Sequence, residues 1–235
     1  YMKKKFCLVI VTYPGKLLQT KKLINDNRTF KFVIFLNNFK KKHIIKNANK
    51  CFYLNKSITS SRIEMIKKLK NLNFDYFIFH DVDDRLNKQR PIKLSKYFDK
   101  YDFIINDINT SIQKKYFSNR LRNNTVLSLN HIKNYNFAGM TNSACSKKVL
   151  NMIKFNKKDY KAPIFDWMLW RKIFKIGKGI FINKTISFYD ISQKSVTSLP
   201  TNFKINKNIK IIFKIRKFFK LKNKINKLKI NNFWW

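Results

Sequence analysis

Acidic residues are scarce in this sequence. Asp and Glu together number 12 against 52 Lys and Arg, which gives a formal net charge of +40 over 235 residues. A charge of this size attracts polyanions, so nucleic acid, anionic lipid and nucleotide-sugars are all candidate partners. Part of it reflects codon composition, because Lys, Asn, Ile and Phe are abundant together, as in AT-rich genomes. The scarcity of acids makes the close spacing of Asp81, Asp83 and Asp84 informative.

Cysteine and long apolar runs are scarce too. Cys7, Cys51 and Cys145 are far apart and odd in number, so neither a zinc site nor a disulfide framework is predicted. A reducing cytosol fits this content best. No apolar run approaches about 18 residues, and the N-terminus lacks the layout of a secretory signal. We therefore expect a cytoplasmic protein with one α/β domain and a short appendage.

Apolar runs and helical patterns alternate along most of the chain. Strands are predicted at residues 6–12, 30–36, 51–54, 75–79, 102–106 and 180–187. Helices are predicted at residues 16–25, 62–72, 91–99, 146–153 and 166–176, and the polar stretch up to Leu129 as hairpin and loop. Such alternation is typical of a mainly parallel sheet flanked by helices. In such sheets the ligand crevice lies at the carboxyl ends of the strands.

The acidic cluster directly follows one of these strands. Carboxylates at a strand end offer hard oxygen ligands for Mg²⁺ or Mn²⁺, and the metal can bridge a diphosphate. Three carboxylates so close together would repel one another without a cation. The alternative is an acidic loop that caps the next helix or pairs with Arg85 and Arg90.

Five short segments form a series along the chain. They are residues 9–13 (VIVTY), 61–62 (SR), 77–84 (FIFHDVDD), 137–144 (FAGMTNSA) and 165–167 (FDW). Each is a weak signal, but their order and intervals resemble family 2 of the GT-A glycosyltransferases over roughly residues 3–195. In that family the third segment is the Asp-x-Asp strand and the fourth lines the donor-sugar and acceptor pocket. The fifth resembles the Glu/Asp-Asp-Trp motif that carries the catalytic base.

The resemblance implies an inverting transfer from a nucleoside-diphosphate sugar, with UDP-sugar favoured, to a glycan or lipid-linked acceptor. Asp166 would take the proton of the acceptor hydroxyl, and Mn²⁺ or Mg²⁺ would stabilise the departing diphosphate. Without the resemblance, Asp166 is explained as a carboxylate near a helix N-terminus. The implied metal ligands are Asp81, Asp83 and Asp84, and which of them bind directly is left open. The implied nucleotide-sugar contacts are Thr12, Tyr13, Pro14, Asn37, Arg62, Asp81, Val82, Gly139, Met140 and Trp167.

Two positions depart from the family pattern. Asn37 stands where family members usually place an acid for the nucleobase, which leaves the choice of uridine open. Family members often carry Tyr-Arg-x-His after the last strand, whereas residues 188–193 read FYDISQ and contain no histidine. Either Asp190 substitutes for that histidine or the site uses fewer protein ligands.

The composition changes near residue 201. Residues 201–235 combine lysines with Ile, Phe and Trp and contain no acid, so we divide the chain into a catalytic domain, 1–200, and a basic amphipathic segment, 201–235. A helix of this composition suits the headgroup layer of an anionic membrane, which predicts peripheral attachment to the inner face. The alternative is a solvated helix that packs one face on the catalytic domain.

Two other function classes compete with the transferase. A nucleic-acid-binding protein would explain the charge and the aromatic residues but leaves the acidic cluster unexplained. A sugar nucleotidyltransferase would use a similar acidic metal site, but it usually has a Gly-rich loop after the first strand, where this chain has only Gly15. An inactive relative of the transferases is a further alternative, because of Asn37 and the missing histidine.

Overall fold

A mixed sheet forms the centre of the protein. The computed structural model describes residues 4–110, 114–118, 120–133 and 136–189, together with residues 214, 217 and 218. Its strands are β1 (Phe6–Thr12), β2 (Phe32–Asn37), β3 (Lys50–Leu54), β4 (Tyr76–Asp81), β5 (Phe103–Thr110), β6 (Thr125–Leu127), β7 (Ser143–Ser146) and β8 (Gly179–Tyr189). Its helices are α1 (Leu17–Asp26), α2 (Ile58–Leu69), α3 (Gln89–Ser95), α4 (Leu129–Lys133), α5 (Lys147–Met152) and α6 (Phe165–Ile176).

The strands lie in the order β3-β2-β1-β4-β7-β5-β8-β6. The pairs β1–β2, β2–β3, β1–β4 and β5–β8 are parallel, whereas β7 and β6 run antiparallel to their neighbours. The predicted fold class, a mainly parallel sheet flanked by helices, is therefore confirmed. β1, β2 and β4 end at the same edge of the sheet, and Tyr13, Asn37 and Asp81 lie at these ends.

The sheet is buried on both faces, which explains why its strands are continuous apolar runs rather than alternating ones. Along β1, Cys7 and Val9 belong to the apolar cluster on one face, and Leu8 and Ile10 to the cluster on the other. Trp170, on α6, is fully buried in the first cluster. Helix α6 therefore packs firmly on the sheet, and its first turn has a fixed position at the sheet edge.

Most predicted elements are present, with shifted ends. The helix predicted at residues 91–99 is α3, Gln89–Ser95, and the strand predicted at 102–106 continues as β5 to Thr110. The helix predicted from Ser146 begins one residue later, because Ser146 ends β7 and caps α5: its hydroxyl accepts a bond from the Val149 amide at 3.3 Å. β7 and β6 were not predicted as strands. They are short, and β7 consists of small residues that are all buried, so neither has a pattern to reveal it.

Little of the basic segment 201–235 lies among the described residues. Lys214, Lys217 and Phe218 are helical, and Phe218 is half-buried against the apolar cluster that contains α6. The amine of Lys158 lies 5.2 Å from the centre of the Phe218 ring. At this residue the segment packs on the apolar cluster of the sheet; the prediction of an amphipathic helix otherwise falls outside the described residues. In the described part of the chain no helix combines the length and apolarity needed to cross a membrane.

Candidate active site

A cleft of about 910 Å³ opens at the carboxyl edge of the sheet. It contains most of the side chains that the sequence predicts for the site, although they come from distant parts of the chain. The predicted residues that line it are Tyr13, Asn37, Arg62, Asp81, Asp83, Asp84, Gly139, Met140 and Asp166. The cleft also receives residues 57–59 from the start of α2, 108 and 117 from the β5 side, and 160–165 from the segment before α6.

The acidic cluster is a turn at the end of β4. The amide of Asp84 donates to the carbonyl of Asp81 at 3.2 Å, which folds the two carboxylates toward each other. The hydroxyl of Thr141 contacts Oδ2 of Asp84 and lies 3.2 Å from Oδ2 of Asp81. Val82, between them, is 1% exposed and packs into the apolar cluster below. The turn is therefore anchored by an apolar residue and presents its acids to the cleft.

Arg62, on α2, contacts both the acidic cluster and the predicted base. One guanidinium nitrogen donates to Oδ1 of Asp166 at 2.6 Å, and another lies 3.4 Å from Oδ1 of Asp81. Paired charged groups form stronger hydrogen bonds than neutral ones. The predicted base and the first residue of the acidic cluster thus share one cation, although one comes from β4 and the other from α6.

Asp166 lies in the first turn of α6 and is 8% exposed. Its burial raises the pKa of the carboxyl above the usual value, while the charge of Arg62 and hydrogen bonds from Arg62 and the backbone of Met140 act in the opposite direction. An ideal Cβ at Gly139 would lie 4.0 Å from Oδ2 of Asp166. Because glycine has no side chain there, space remains beside this oxygen for a ligand.

Burial also dominates the electrostatics of Asp81. It raises the pKa of Asp81 from 3.8 to about 6, with further increases from the charges of Asp166 and Asp83, while Arg62 and the Thr141 hydroxyl lower it. Burial, followed by the charges of Asp83, Asp81 and Asp84, raises the pKa of Tyr13 to about 12, and Arg62 opposes that shift. The cleft is lined by four carboxylates and by the cations Arg62, Lys16 and Lys161. Three of the carboxylates are close together at the acidic turn, and their mutual repulsion favours binding of an additional cation there.

The shift at Asp81 predicts a pH-dependent stability in metal-free buffer. Because the folded pKa is raised, the stabilising effect of protonation is complete below about pH 3.8 and is lost as the pH rises through about 6. Asp81→Asn should remove this loss and raise the free energy of unfolding at pH 7.5 by about 1–3 kcal/mol. Urea titrations of the wild type and the variant at pH 4 and pH 7.5 would measure the free energy of unfolding. A variant less stable than wild type at pH 7.5 would contradict the prediction.

The cluster fits a divalent cation by its ligand type. Asp81 and Asp84 converge on the same Thr141 hydroxyl, and Asp83 lines the same cleft. Mg²⁺ and Mn²⁺ prefer oxygen ligands, and Mg²⁺ is usually held by one or two carboxylates together with substrate phosphates. Across the described ranges, no group of three or more His, Cys, Asp or Glu side chains is arranged to hold a metal ion. The set Asp81, Asp83 and Asp84 therefore stays a prediction.

Asn37 has a structural role in the wall of the cleft. Its amide oxygen accepts from the Ser61 hydroxyl at 2.7 Å, and its amide nitrogen donates to the carbonyl of Lys56 at 3.2 Å. The side chain is 5% exposed. Asn37 thus fixes the start of α2, the helix that carries Arg62.

Four residues predicted to contact the nucleotide-sugar do not line the cleft. Thr12 is fully buried and shares a 2.6 Å hydrogen bond with Thr20, and Pro14 begins the 3₁₀ turn Pro14–Lys16 before α1. Val82 packs below the acidic turn. Trp167 is 3% exposed, and its indole N–H donates to the carbonyl of Ile132 at 2.8 Å. Trp167 therefore ties α6 to α4.

Arg90, which the sequence offers as a possible partner of the acidic cluster, lies near that cluster but does not line the cleft. Its side chain is fully buried behind the acidic turn and donates to Asn106 and to the carbonyls of Phe79 and Ser143, at 2.9–3.1 Å. Burial lowers the pKa of Arg90 to about 9, and the nearby charges of Asp84 and Asp81 oppose that shift. Arg90 thus joins β4, β5 and β7 beneath the cluster. No local pattern distinguishes it from the other basic residues.

The fold is shared with solved glycosyltransferase structures. No protein-family model and no curated protein sequence matches the chain. Residues 1–349 of S. aureus TarS in complex with UDP-GlcNAc superpose with a TM-score of 0.62 at 13% identity, covering 91% of this chain and 66% of that one. The same fragment with UDP gives 0.60 and covers 92% and 64%, and longer TarS gives 0.61 and covers 97% and 46%.

The comparison determines the fold class. The mostly parallel eight-stranded sheet with flanking helices matches the GT-A glycosyltransferase fold. The chain spans slightly less than two thirds of the TarS fragment and about half of longer TarS. At 13% identity the likeness concerns the fold alone, and activity has to be argued from the site.

Proposed function

We propose that this chain is a metal-dependent glycosyltransferase of family 2 type that transfers a sugar from a nucleotide-sugar, with UDP-sugar favoured. The observation that carries the proposal is the double pairing of Arg62, which joins Asp81 and Asp166 across the cleft. Carboxylates for a cation and a buried candidate base thereby meet at one site. The fold shared with TarS, whose structures hold UDP and UDP-GlcNAc, supports the same class.

We assign the role of general base to Asp166. In the proposed reaction its carboxylate accepts the proton of an acceptor hydroxyl while that oxygen forms a bond to the anomeric carbon. The bond from that carbon to the diphosphate oxygen breaks, and its electron pair leaves with UDP. The attack comes from the face opposite the leaving group and therefore inverts the anomeric centre. The backbone of Met140 and the guanidinium of Arg62 orient the carboxylate, and Gly139 leaves the space beside it.

The donor's diphosphate would lie by the acidic turn. Asp81, Asp83 and Asp84 would hold Mn²⁺ or Mg²⁺, which when bound neutralises charge on the departing diphosphate. Arg62 lines the same cleft and would be a further donor to phosphate oxygens, because guanidinium groups bind phosphate well. Tyr13 offers a partly exposed ring in the nucleoside half of the cleft, 40% exposed at the end of β1.

The proposed acceptor is a glycan or a lipid-linked glycan at the cytoplasmic face of a membrane. The basic composition of residues 201–235 supports attachment to an anionic surface. At Phe218, the contact with the catalytic domain favours the alternative to membrane attachment, in which the basic segment packs one face on that domain.

Calorimetric titration with UDP tests the proposal. We expect UDP to bind with a Kd of about 1 μM to 1 mM in Mn²⁺, and at least about tenfold more weakly in EDTA. The reason is that the acidic turn repels a diphosphate until a cation neutralises it. Uridine is the matched control, since without phosphates its binding should not depend on Mn²⁺. UDP binding that is absent, or equal with and without Mn²⁺, would refute the proposal of a metal-dependent glycosyltransferase.

A further inference from the structure

The two most exposed large apolar side chains among the described residues are Ile44 and Leu18. Ile44 is 86% exposed and Leu18 is 82% exposed, whereas the next, Ile92 and Val126, are 55% exposed. Leu18 lies in the first turn of α1, and Ile44 lies in the loop between β2 and β3, residues 38–49. One exposed apolar residue needs no explanation, but two on a common surface indicate an interaction site.

α1 and the loop 38–49 lie side by side. The side-chain nitrogen of Asn47, in the loop, donates to the side-chain oxygen of Asn25, on α1, at 3.1 Å. Asn25 follows Leu18 by about two helical turns, so both side chains lie on the same side of α1. Leu18 therefore faces the side on which the loop with Ile44 runs.

This surface lies near the edge of the sheet where the cleft opens. The hydroxyl of Tyr53, close to the carboxyl end of β3, accepts from the amide of His43 at 2.5 Å and donates to its carbonyl at 2.7 Å. The loop is thereby attached to the carboxyl end of β3. Leu18 closely follows the carboxyl end of β1, and Lys16, just before it, lines the cleft.

The same two elements carry exposed lysines. Lys22 lies one helical turn after Leu18 on α1, and the others lie in the loop. The exposed lysines are Lys22, Lys40, Lys41, Lys42 and Lys46. Asp26, at the end of α1, is the only acid among the first 63 residues of the sequence. We call these lysines, together with Leu18 and Ile44, the basic face.

We propose that the basic face binds an anionic membrane surface. Its lysines would lie at the lipid phosphates, and Ile44 and Leu18 would enter the headgroup layer, where apolar side chains leave water. A nucleic acid would satisfy the charge but not two aliphatic side chains, because bases stack on aromatic rings. A second copy of the chain would bring the same positive charge. The membrane contact is separate from the basic segment 201–235, and it would hold the mouth of the cleft close to the lipid surface.

Vesicle flotation of the full chain tests the role of the lysines. The vesicles contain phosphatidylglycerol and phosphatidylcholine in equal parts. Lys40→Gln/Lys41→Gln/Lys42→Gln should bind them about tenfold more weakly than wild type, because each lysine near an anionic surface contributes to binding. The matched control makes the same change at three exposed lysines outside the basic face: Lys31, Lys96 and Lys100.

These control lysines lie before β2 and β5, at the opposite edge of the sheet. Their replacement removes the same charge and should leave vesicle binding within about threefold of wild type, since electrostatic attraction falls off within a Debye length. Equal binding by the two triple variants would overturn the proposal, because the attachment would then depend on total charge or on residues 201–235.

Ile44→Ser tests the apolar part of the contact. It should weaken vesicle binding by about threefold or more and leave binding to soluble polyphosphate unchanged. Because Ile44 is exposed, the melting temperature should stay at that of wild type. Val126→Ser is the matched control, since Val126 is exposed on β6, at the far side of the sheet from β3, and it should bind vesicles like wild type.

The outcomes separate a membrane from other polyanions. If Ile44→Ser binds vesicles as tightly as wild type while the variant of residues 40–42 does not, the basic face binds polyanions in general and the membrane proposal is wrong. UDP affinity should be unchanged in all of these variants, because none of the replaced side chains lines the cleft. Failure of the wild-type chain to bind UDP would refute the proposed function and leave the membrane contact standing.

Discussion

Asp166→Asn is expected to reduce sugar transfer by about 10²- to 10⁴-fold while donor affinity stays within about threefold of wild type. The amide has the shape of the carboxylate and can still accept from Arg62, but it cannot take a proton from the acceptor. The rate of UDP release from the preferred UDP-sugar, with water or a glycan as acceptor, measures the loss. Titration with UDP measures binding separately.

Asp102→Asn provides the control for this experiment. Asp102 is a partly buried carboxylate beside the start of β5, at the opposite edge of the sheet, where its Oδ2 accepts from the Lys178 amide at 2.9 Å. The variant loses a negative charge of the same kind without touching the cleft, so it should turn over at the wild-type rate. If Asp166→Asn retains more than about a tenth of the wild-type rate, Asp166 is not the base.

Asp83→Ala is expected to abolish the Mn²⁺-dependent part of UDP binding, a loss of about 10- to 100-fold. Asp83 lines the cleft beside Asp81 and Asp84 and belongs to the proposed ligand set. Removing it leaves fewer oxygen ligands for the cation, and the diphosphate then meets negative charge that the cation no longer neutralises. Titrations of UDP in Mn²⁺ and in EDTA give the two affinities.

The matched control for Asp83 is Asp99→Ala, because Asp99 is an exposed aspartate after α3 and does not line the cleft. It should keep the full difference between Mn²⁺ and EDTA. If Asp83→Ala shows the same difference as wild type, Asp83 does not bind the cation. The two variants are complementary, since Asp166→Asn should affect the rate and Asp83→Ala the donor affinity.

The local sequence was sufficient to predict the strands and helices that form the sheet edge. β1 and β2 are apolar because both faces of the sheet are covered, and such runs are visible without any knowledge of partners. β7 was missed because Ser143–Ser146 is short and made of small residues, and its strand conformation depends on pairing with β4 and β5. Strand ends were also shifted, since helix and strand limits depend on neighbours that the sequence does not show.

Most residues predicted for the site lie together in the structure, but the sequence gave an incomplete description of the site. Asp81, Asp83, Asp84 and Asp166 line one cleft, as the motif series implied. Trp167 and Thr12 have structural contacts instead. The indole N–H of Trp167 donates to the carbonyl of Ile132, and the hydroxyl of Thr12 is hydrogen-bonded to that of Thr20. The sequence offered Arg90 only as a possible partner of the acidic cluster, since its burial and its hydrogen bonds to distant segments depend on the fold.

The sequence by itself determined the alternation of strands and helices, the place of the acids at a strand end, and the excess of positive charge. These properties are local or additive, so no partner is needed to read them. The tertiary structure alone decided that Arg62 would lie between Asp81 and Asp166. It also decided that the side chain of Asn37 would be hydrogen-bonded to Ser61 on α2, and that the buried oxygen of Asn136 would have no hydrogen-bond partner. Each of these depends on distances between segments far apart in the chain, which only the packing of helices on the sheet establishes.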